Sequence, residues 1–250
     1  MPHISLAAEK IGSLVGFPIT NALLTTWLVM ALLMILALVA THRLSLVPTY
    51  AQSIAELIIG GLHDFFTGVL GHHIQKAFPL LASLFLFIIT ANWVGLLPGV
   101  GTIGFFHKNE FTPLLRAATA DLNTTLALAV VAVVAIQYFG FRTLGSSYGG
   151  RFVNLKNPID FFVGLLEIIS DVSKVISFAF RLFGNIFAGE VLLAVMAFLM
   201  PFIVPLPFLM LELFVGFIQA LVFSMLTAVF LNVALSHEDG AHVKVVNTHG

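Results

Sequence analysis

The chain has 250 residues, 59% of them hydrophobic and 9% charged, with a mean hydropathy of +1.06 and a formal net charge of −1. Soluble domains carry about a quarter charged residues, so this composition excludes one of those and indicates an integral membrane protein. The near-neutral charge argues against a nucleic-acid partner, and the absence of cysteine excludes disulfides, zinc–thiolate sites and thiol nucleophiles.

Residues 1–20 are short and mixed, punctuated by Pro2 and Pro18, and read as an interfacial start outside the membrane with a half-formed helix. No basic stretch leads into a short apolar core with a cleavage site, so the first hydrophobic segment is expected to stay in the membrane. That segment, 21–42, runs without charge for about the twenty residues a spanning helix needs. Residues 44–75 differ. Val47, Ala51, Ile54, Leu57, Ile58, Leu62, Phe65 and Phe66 recur at helical spacing, while Gln52, Ser53, Glu56, His63 and Asp64 interrupt them. The pattern predicts an amphipathic interfacial helix, the alternative being a buried core helix.

A second spanning segment covers 77–98 and leaves through Gly99, Gly101 and Gly104 into a connection holding Lys108, Glu110 and Arg116. Asp121 or Asn123 can cap the next spanning helix, 121–142. Arg43, Lys76, Arg142, Arg151 and Lys156 then fall on one side if the segments alternate, and an excess of basic residues marks the cytoplasmic side. The N-terminus is therefore expected outside and the tail, 237–250, in the cytoplasm.

Between 157 and 236 the pattern changes. Asp160, Glu167, Asp171, Lys174, Arg181 and Glu190 lie in a mostly apolar helical stretch, and at about 2.5 to 3.5 kcal/mol for each charge at a bilayer centre they cannot all face lipid. At about 100 degrees per residue, Asp160, Glu167, Asp171, Lys174, Arg181 and Asn185 form one polar stripe, with Glu190 on roughly the opposite side. Arg181 stands out because a guanidinium keeps its charge at any physiological pH. Snorkelling to the headgroups would excuse it near a helix end, but apolar residues extend well past it on its C-terminal side. A helix from Pro158 to Met200 would be about 60 Å long, twice the hydrocarbon thickness, so it must be tilted, curved or broken. Pro201, Pro205 and Pro207 turn the chain, and 208–236 returns with Glu212 and Gln219 on one face. Antiparallel pairing around that turn brings Arg181 to Gln219 and Glu190 to Glu212 in a single register. Two carboxylates in one low-dielectric pocket cannot both ionise cheaply, so one of them keeps a proton near neutral pH, which suits a proton relay. The expected fold class is all-α membrane. It has about five embedded helices and one interfacial helix, with the last two long and tilted as an antiparallel hairpin.

Arg181-Leu-Phe-Gly-Asn185 followed by Ala188-Gly-Glu190 resembles the signature of the a subunit (subunit 6) of F-type ATP synthases, the membrane stator facing the rotating c ring. The likeness extends to Glu167 and Lys174, to Asn92-Trp-Val-Gly-Leu-Leu-Pro98 and to Gln219-Ala-Leu-Val-Phe223, roughly residues 75 to 237. It implies a non-catalytic proton-conducting subunit of a cell or organelle inner membrane, with two offset half-channels. Its implied partners are the c ring, which supplies the ion-binding carboxylate, and the b subunits of the peripheral stalk. Carried over by residue, it implies Arg181, Asn185, Glu190, Glu212 and Gln219 as translocation residues. In that reading Gln219 accepts a hydrogen bond from Arg181, and Glu167, Lys174 and Ser177 are secondary path candidates, joined by Asp171 because the Glu167, Asp171 and Lys174 end of the stripe suits an exit toward the cytoplasm. Many relatives place a glutamate and a histidine where this chain has Glu190 and Glu212, and some carry an acid at the position of Gly95. The competing readings are a sodium-translocating version of the same subunit and an ion-coupled secondary transporter. The latter would normally show internal repeats, and no second copy of the Arg181 region is present.

Overall fold

A computed structural model of the chain describes residues 8–14, 17–42, 48–97, 99–100, 103–107, 110–150, 158–200 and 203–235. Arg43, Val47, Pro98, Lys108, Arg151, Lys156, Pro201 and the tail, all used in the sequence reading, lie outside the described residues.

Uninterrupted apolar runs set the architecture, because a helix is the one open-ended way to satisfy every backbone group in lipid. Helix α1 spans Asn21–Thr41, α2 Tyr50–Leu70, α3 Ile74–Gly95, α4 Leu122–Leu144, α5 Ser146–Gly149, α6 Pro158–Leu199 and α7 Pro205–Leu235. Among the described residues, five helical stretches are long and apolar enough to cross a membrane, with α2 and α3 forming one of them, and the protein is an all-α membrane protein. Thr20 caps α1 by accepting from the Leu23 amide, Thr49 caps α2, and Asp121 caps α4 by accepting from the Asn123 amide. Between α2 and α3 a single 3₁₀ turn, Gly71–His73, opens on Gly71 at φ +52°, a conformation that side chains resist.

Two short hairpins correct the sequence reading. Residues expected to form a half-formed helix instead pair as β1 (Lys10–Leu14) with β2 (Phe17–Thr20), and the connection before α4 contains β3 (Gly104–His107) paired with β4 (Glu110–Pro113). Pro18 explains part of the first, since it cannot donate to a helical ladder. One hairpin precedes α1 and the other lies between α3 and α4, both outside the spanning segments, so the fold class stands.

The apolar stripe read in α2 is divided. Phe66 and Leu70 are buried, whereas Ile54, Leu57, Ile58 and Phe65 face outward. One side of α2 thus packs on the bundle, and the exposed side mixes these apolar residues with Ser53, Glu56 and Asp64.

Helix α6 is continuous over 42 residues, about 60 Å, and α7 over 31. They face each other in antiparallel order through Gly189 and Glu212, Asn185 and Gln219, Phe178 and Phe223 with ring centroids 5.0 Å apart, and Lys174 over the Phe230 ring at 4.9 Å. The central core joins Leu84, Phe85 and Ile88 of α3, Ala129 and Ala132 of α4, Phe178, Ala179, Leu182 and Ile186 of α6, and Ala220 and Phe223 of α7.

A buried polar knot fixes α3 to α7. Asn92 Nδ2 donates to the Gly216 carbonyl at 2.9 Å, and its Oδ1 accepts from Thr119 Oγ1 at 2.6 Å. Trp93 Nε1 donates to the Leu213 carbonyl at 3.1 Å. Asn92→Ala removes two buried bonds and strands their partners, so it should cost about 1 to 3 kcal/mol. Detergent-denaturant unfolding of the purified chain measures this; an unchanged midpoint would contradict it.

Candidate functional site

The middle of α6 turns two different faces to its surroundings. Phe178, Ala179, Leu182, Ile186 and Gly189 point into the bundle, whereas Ser177, Arg181, Gly184, Asn185 and Ala188 are exposed. Helical periodicity alone produces this split, since residues three and four apart share a face. Arg181 therefore projects away from the bundle, flanked by small side chains, and a Cβ built on Gly184 meets nothing within 4 Å. The one side-chain bond Arg181 makes among the described residues is from Nη2 to Ser177 Oγ at 3.2 Å, and no carboxylate of the described chain is paired with it.

This differs from the expected pairing of Arg181 with Gln219. Gln219 Oε1 instead accepts from Asn185 Nδ2 at 2.7 Å, and Gln219 Nε2 is buried with no hydrogen-bond partner among the described residues. The expected pairing was one helical turn out. Residues 181 and 185 share a stripe, but the short amide at 185 fits the α6–α7 seam while the long guanidinium is directed outward.

On one side of Arg181 lies a cavity of about 230 Å³ whose lining includes Asn92, Gly95, Arg116, Glu190, Leu193 and Glu212. Glu190 and Glu212 thus share a space, but not as the isolated pair of carboxylates expected from their spacing. Glu190 is tied to Arg116: Nε lies 3.1 and 3.2 Å from its two oxygens, and Nη2 lies 3.1 Å from Oε2. Glu212 is buried, its carboxyl group is packed against Gly189, and its Oε1 has no hydrogen-bond partner among the described residues. A side chain at 189 would overlap that carboxyl group. Gly95 is constrained in a similar way, since a Cβ there would overlap Ala117, so an acid at this position needs the Ala117 segment to move.

On the other side of Arg181 the polar stripe continues as a chain of bonds. Lys174 Nζ donates to Asp171 Oδ1 at 2.6 Å, Gln137 Nε2 donates to Asp171 Oδ2 at 2.7 Å, and the Tyr148 hydroxyl donates to Gln137 Oε1 at 2.9 Å. Glu167 and Asp160 lie further along, partly exposed and each with interactions of its own. A charged and polar group set is therefore present on either side of Arg181, and Arg181 itself belongs to neither. The sequence reading did not single out Arg116, Gly189, Gln137 or Tyr148 as parts of the site.

A family model described as ATP synthase A chain matches residues 23–232. Among curated proteins, the chain is 38% identical over 220 residues to the ATP synthase subunit a of Citrifermentans bemidjiense, covering 87% of this chain and 88% of that protein. It is 37% identical over 220 residues to that of Geobacter sp. strain M21, with the same shares covered. It is 38% identical over 218 residues to that of Geotalea uraniireducens, covering 86% of this chain and 87% of that one.

Proposed function

The chain belongs to the ATP synthase A chain family, and from that premise we propose that it is the proton-conducting stator subunit of an F-type ATP synthase, with Arg181 facing the carboxylates of a rotating c ring. The observation that carries this reading is the outward projection of Arg181 between small residues. A permanent cation turned away from its own bundle at the middle of a spanning helix is costly in lipid, and it asks for an anionic partner outside the chain. Small residues beside it let a partner helix approach closely.

In this reading the cavity holding Glu190 and Glu212 is the inlet half-channel, and the Glu167, Asp171 and Lys174 side is the outlet. A carboxyl group on the ring loads a proton from the inlet, travels through lipid as a neutral group, and gives the proton up on approaching Arg181 from the outlet side. The guanidinium favours the charged form of that carboxyl and repels a proton moving straight from one half-channel to the other. Gln219 binds Asn185 and thereby steadies the helix turn that presents Arg181. ATP chemistry belongs to other subunits, and the b subunits of a peripheral stalk hold this one still.

Because the chain contains no cysteine, single thiols can be placed at will. With the assembled complex in membranes, a thiol at Ser177, Gly184 or Ala188 should crosslink to one introduced near the acidic group of the ring helix. A thiol at Ala179 or Leu182, turned into the bundle, should not. Equal crosslinking of both sets, or none from the first, would contradict the assignment of this face.

A further inference from the structure

Arg116 comes from the connection after β4, yet it is 7% exposed. Its backbone amide donates to Thr25 Oγ1 of α1 at 3.2 Å, which sets the segment against that helix, and its guanidinium reaches across to α6. There it holds both oxygens of Glu190 at 3.1 and 3.2 Å. Glu212 lines the same cavity, and among the described residues no such clamp reaches it; its Oε1 has no hydrogen-bond partner there. Two acids and one permanent cation thus surround one small space, and only one of the acids is engaged by the cation.

We propose that Arg116 is a positioning residue of the proton path, holding Glu190 as a fixed ionised counter-charge in the inlet wall and leaving Glu212 as the carboxyl that exchanges protons there. The proposal rests on the function proposed above. Protonating Glu190 would break a charge-assisted fork and leave a buried guanidinium facing a neutral acid, which opposes protonation even though the Glu190 side chain is 36% exposed. Glu212 pays no such cost. Its carboxyl group abuts a residue without a side chain and borders open volume, so it can turn between positions. The transfer balances simply: a hydronium in the cavity gives a proton to a Glu212 oxygen and becomes water. That O–H bond later breaks as the proton passes to the next acceptor. Arg116 takes no part in either bond, and acts through Glu190 by cancelling a positive charge that would otherwise repel protons from the inlet.

Cancellation has a testable sign. Glu190→Gln leaves the guanidinium in the wall without its carboxylate, and Arg116→Gln releases Glu190 as a second acid that traps protons. Each change should lower ATP-driven proton pumping by inverted vesicles about tenfold or more. The double variant should pump at least about threefold faster than either single one, because both faults are removed together. Glu212→Gln should abolish pumping and should not be rescued by Arg116→Gln. Assembled complex is quantified by immunoblot in each preparation. If Arg116→Gln fails to assemble, Arg116→Lys in the Glu190→Gln background carries the same test, since a lysine can shed its proton and an arginine cannot. That pair should then pump faster than Glu190→Gln alone. A double variant no faster than the slower single one overturns the proposal, as does Glu190→Gln at the wild-type rate. Loss of coupled pumping in an Arg181→Ala control, with no rescue in the pair, would defeat this inference alone. Survival of coupled pumping in that control would defeat the family-level mechanism instead.

Discussion

Arg181→Ala should reduce coupled ATP synthesis to the level of membranes without a working complex, while the chain still inserts and assembles. The folded chain does not depend on this side chain, since among the described residues it makes one bond, to a serine on its own helix. A partner carboxylate brought to about 4 Å gains about 4 kcal/mol from a fixed cation at an effective dielectric constant of 20, or roughly three powers of ten in its proton equilibrium. Without that term the partner's acid keeps its proton at the outlet, and the barrier between the half-channels is also gone. Arg181→Lys should be impaired too, although less severely, because the ammonium presents a point charge in place of a planar fork and can lose its proton when desolvated. ATP synthesis and hydrolysis-driven pumping, with the chain quantified in the same membranes, check this. Synthesis near the wild-type rate in Arg181→Ala would refute the role given to it.

Gly189→Val should lower coupled flux by about 10- to 100-fold with little loss of assembled protein. A side chain at 189 overlaps the Glu212 carboxyl group, which is the far end of a flexible chain beside a cavity of about 230 Å³. The collision is therefore relieved by Glu212 swinging away rather than by the two helices parting, and its effect falls on transport instead of stability. Shortening the acid to make room should not help, since on the proposed path Glu212→Ala removes the exchanging group itself. Gly189→Val and Glu212→Ala combined should accordingly resemble Glu212→Ala alone. Pumping rates of the three variants at matched protein levels provide the comparison. A large additional loss in the combined variant would show that position 189 acts through backbone packing and not through Glu212.

The helices were legible because a membrane leaves the backbone few options. Runs such as Asn21–Thr41 and Leu122–Leu144 show their length and their caps directly. The two hairpins were not legible, since strands of four or five residues beside Gly and Pro carry too little alternating pattern to distinguish them from loops. At the site, Arg181, Glu190, Glu212, Asn185 and Gln219 stood out as polar groups in apolar surroundings. Which of them touch was harder to read. Positions 181 and 185 occupy one helical stripe, so spacing could not decide which of them meets Gln219. Arg116 escaped notice for a different reason: a charge in a connecting segment reads as solvated, and only the folding of that segment over α6 buries it against Glu190. A weak signal was present. Glu190 needed a counter-charge on the side facing away from the Arg181 stripe, and Arg116 is the basic residue that precedes the capped start of α4. Gly189 was missed because a small residue in a membrane helix normally signals close helix packing, and here it makes space for an acid.

In the proposed mechanism Arg181 divides two water paths opening to opposite faces of the membrane. Side-specific labelling tests it most directly, with a single thiol placed at Leu193 in the Glu190–Glu212 cavity or at Lys174 on the other side of Arg181. An impermeant thiol reagent added from the cytoplasmic face should modify the thiol at 174 and spare the one at 193, and reagent added from the opposite face should do the reverse. Modification of both positions from one face, with Arg181 intact, would contradict the account.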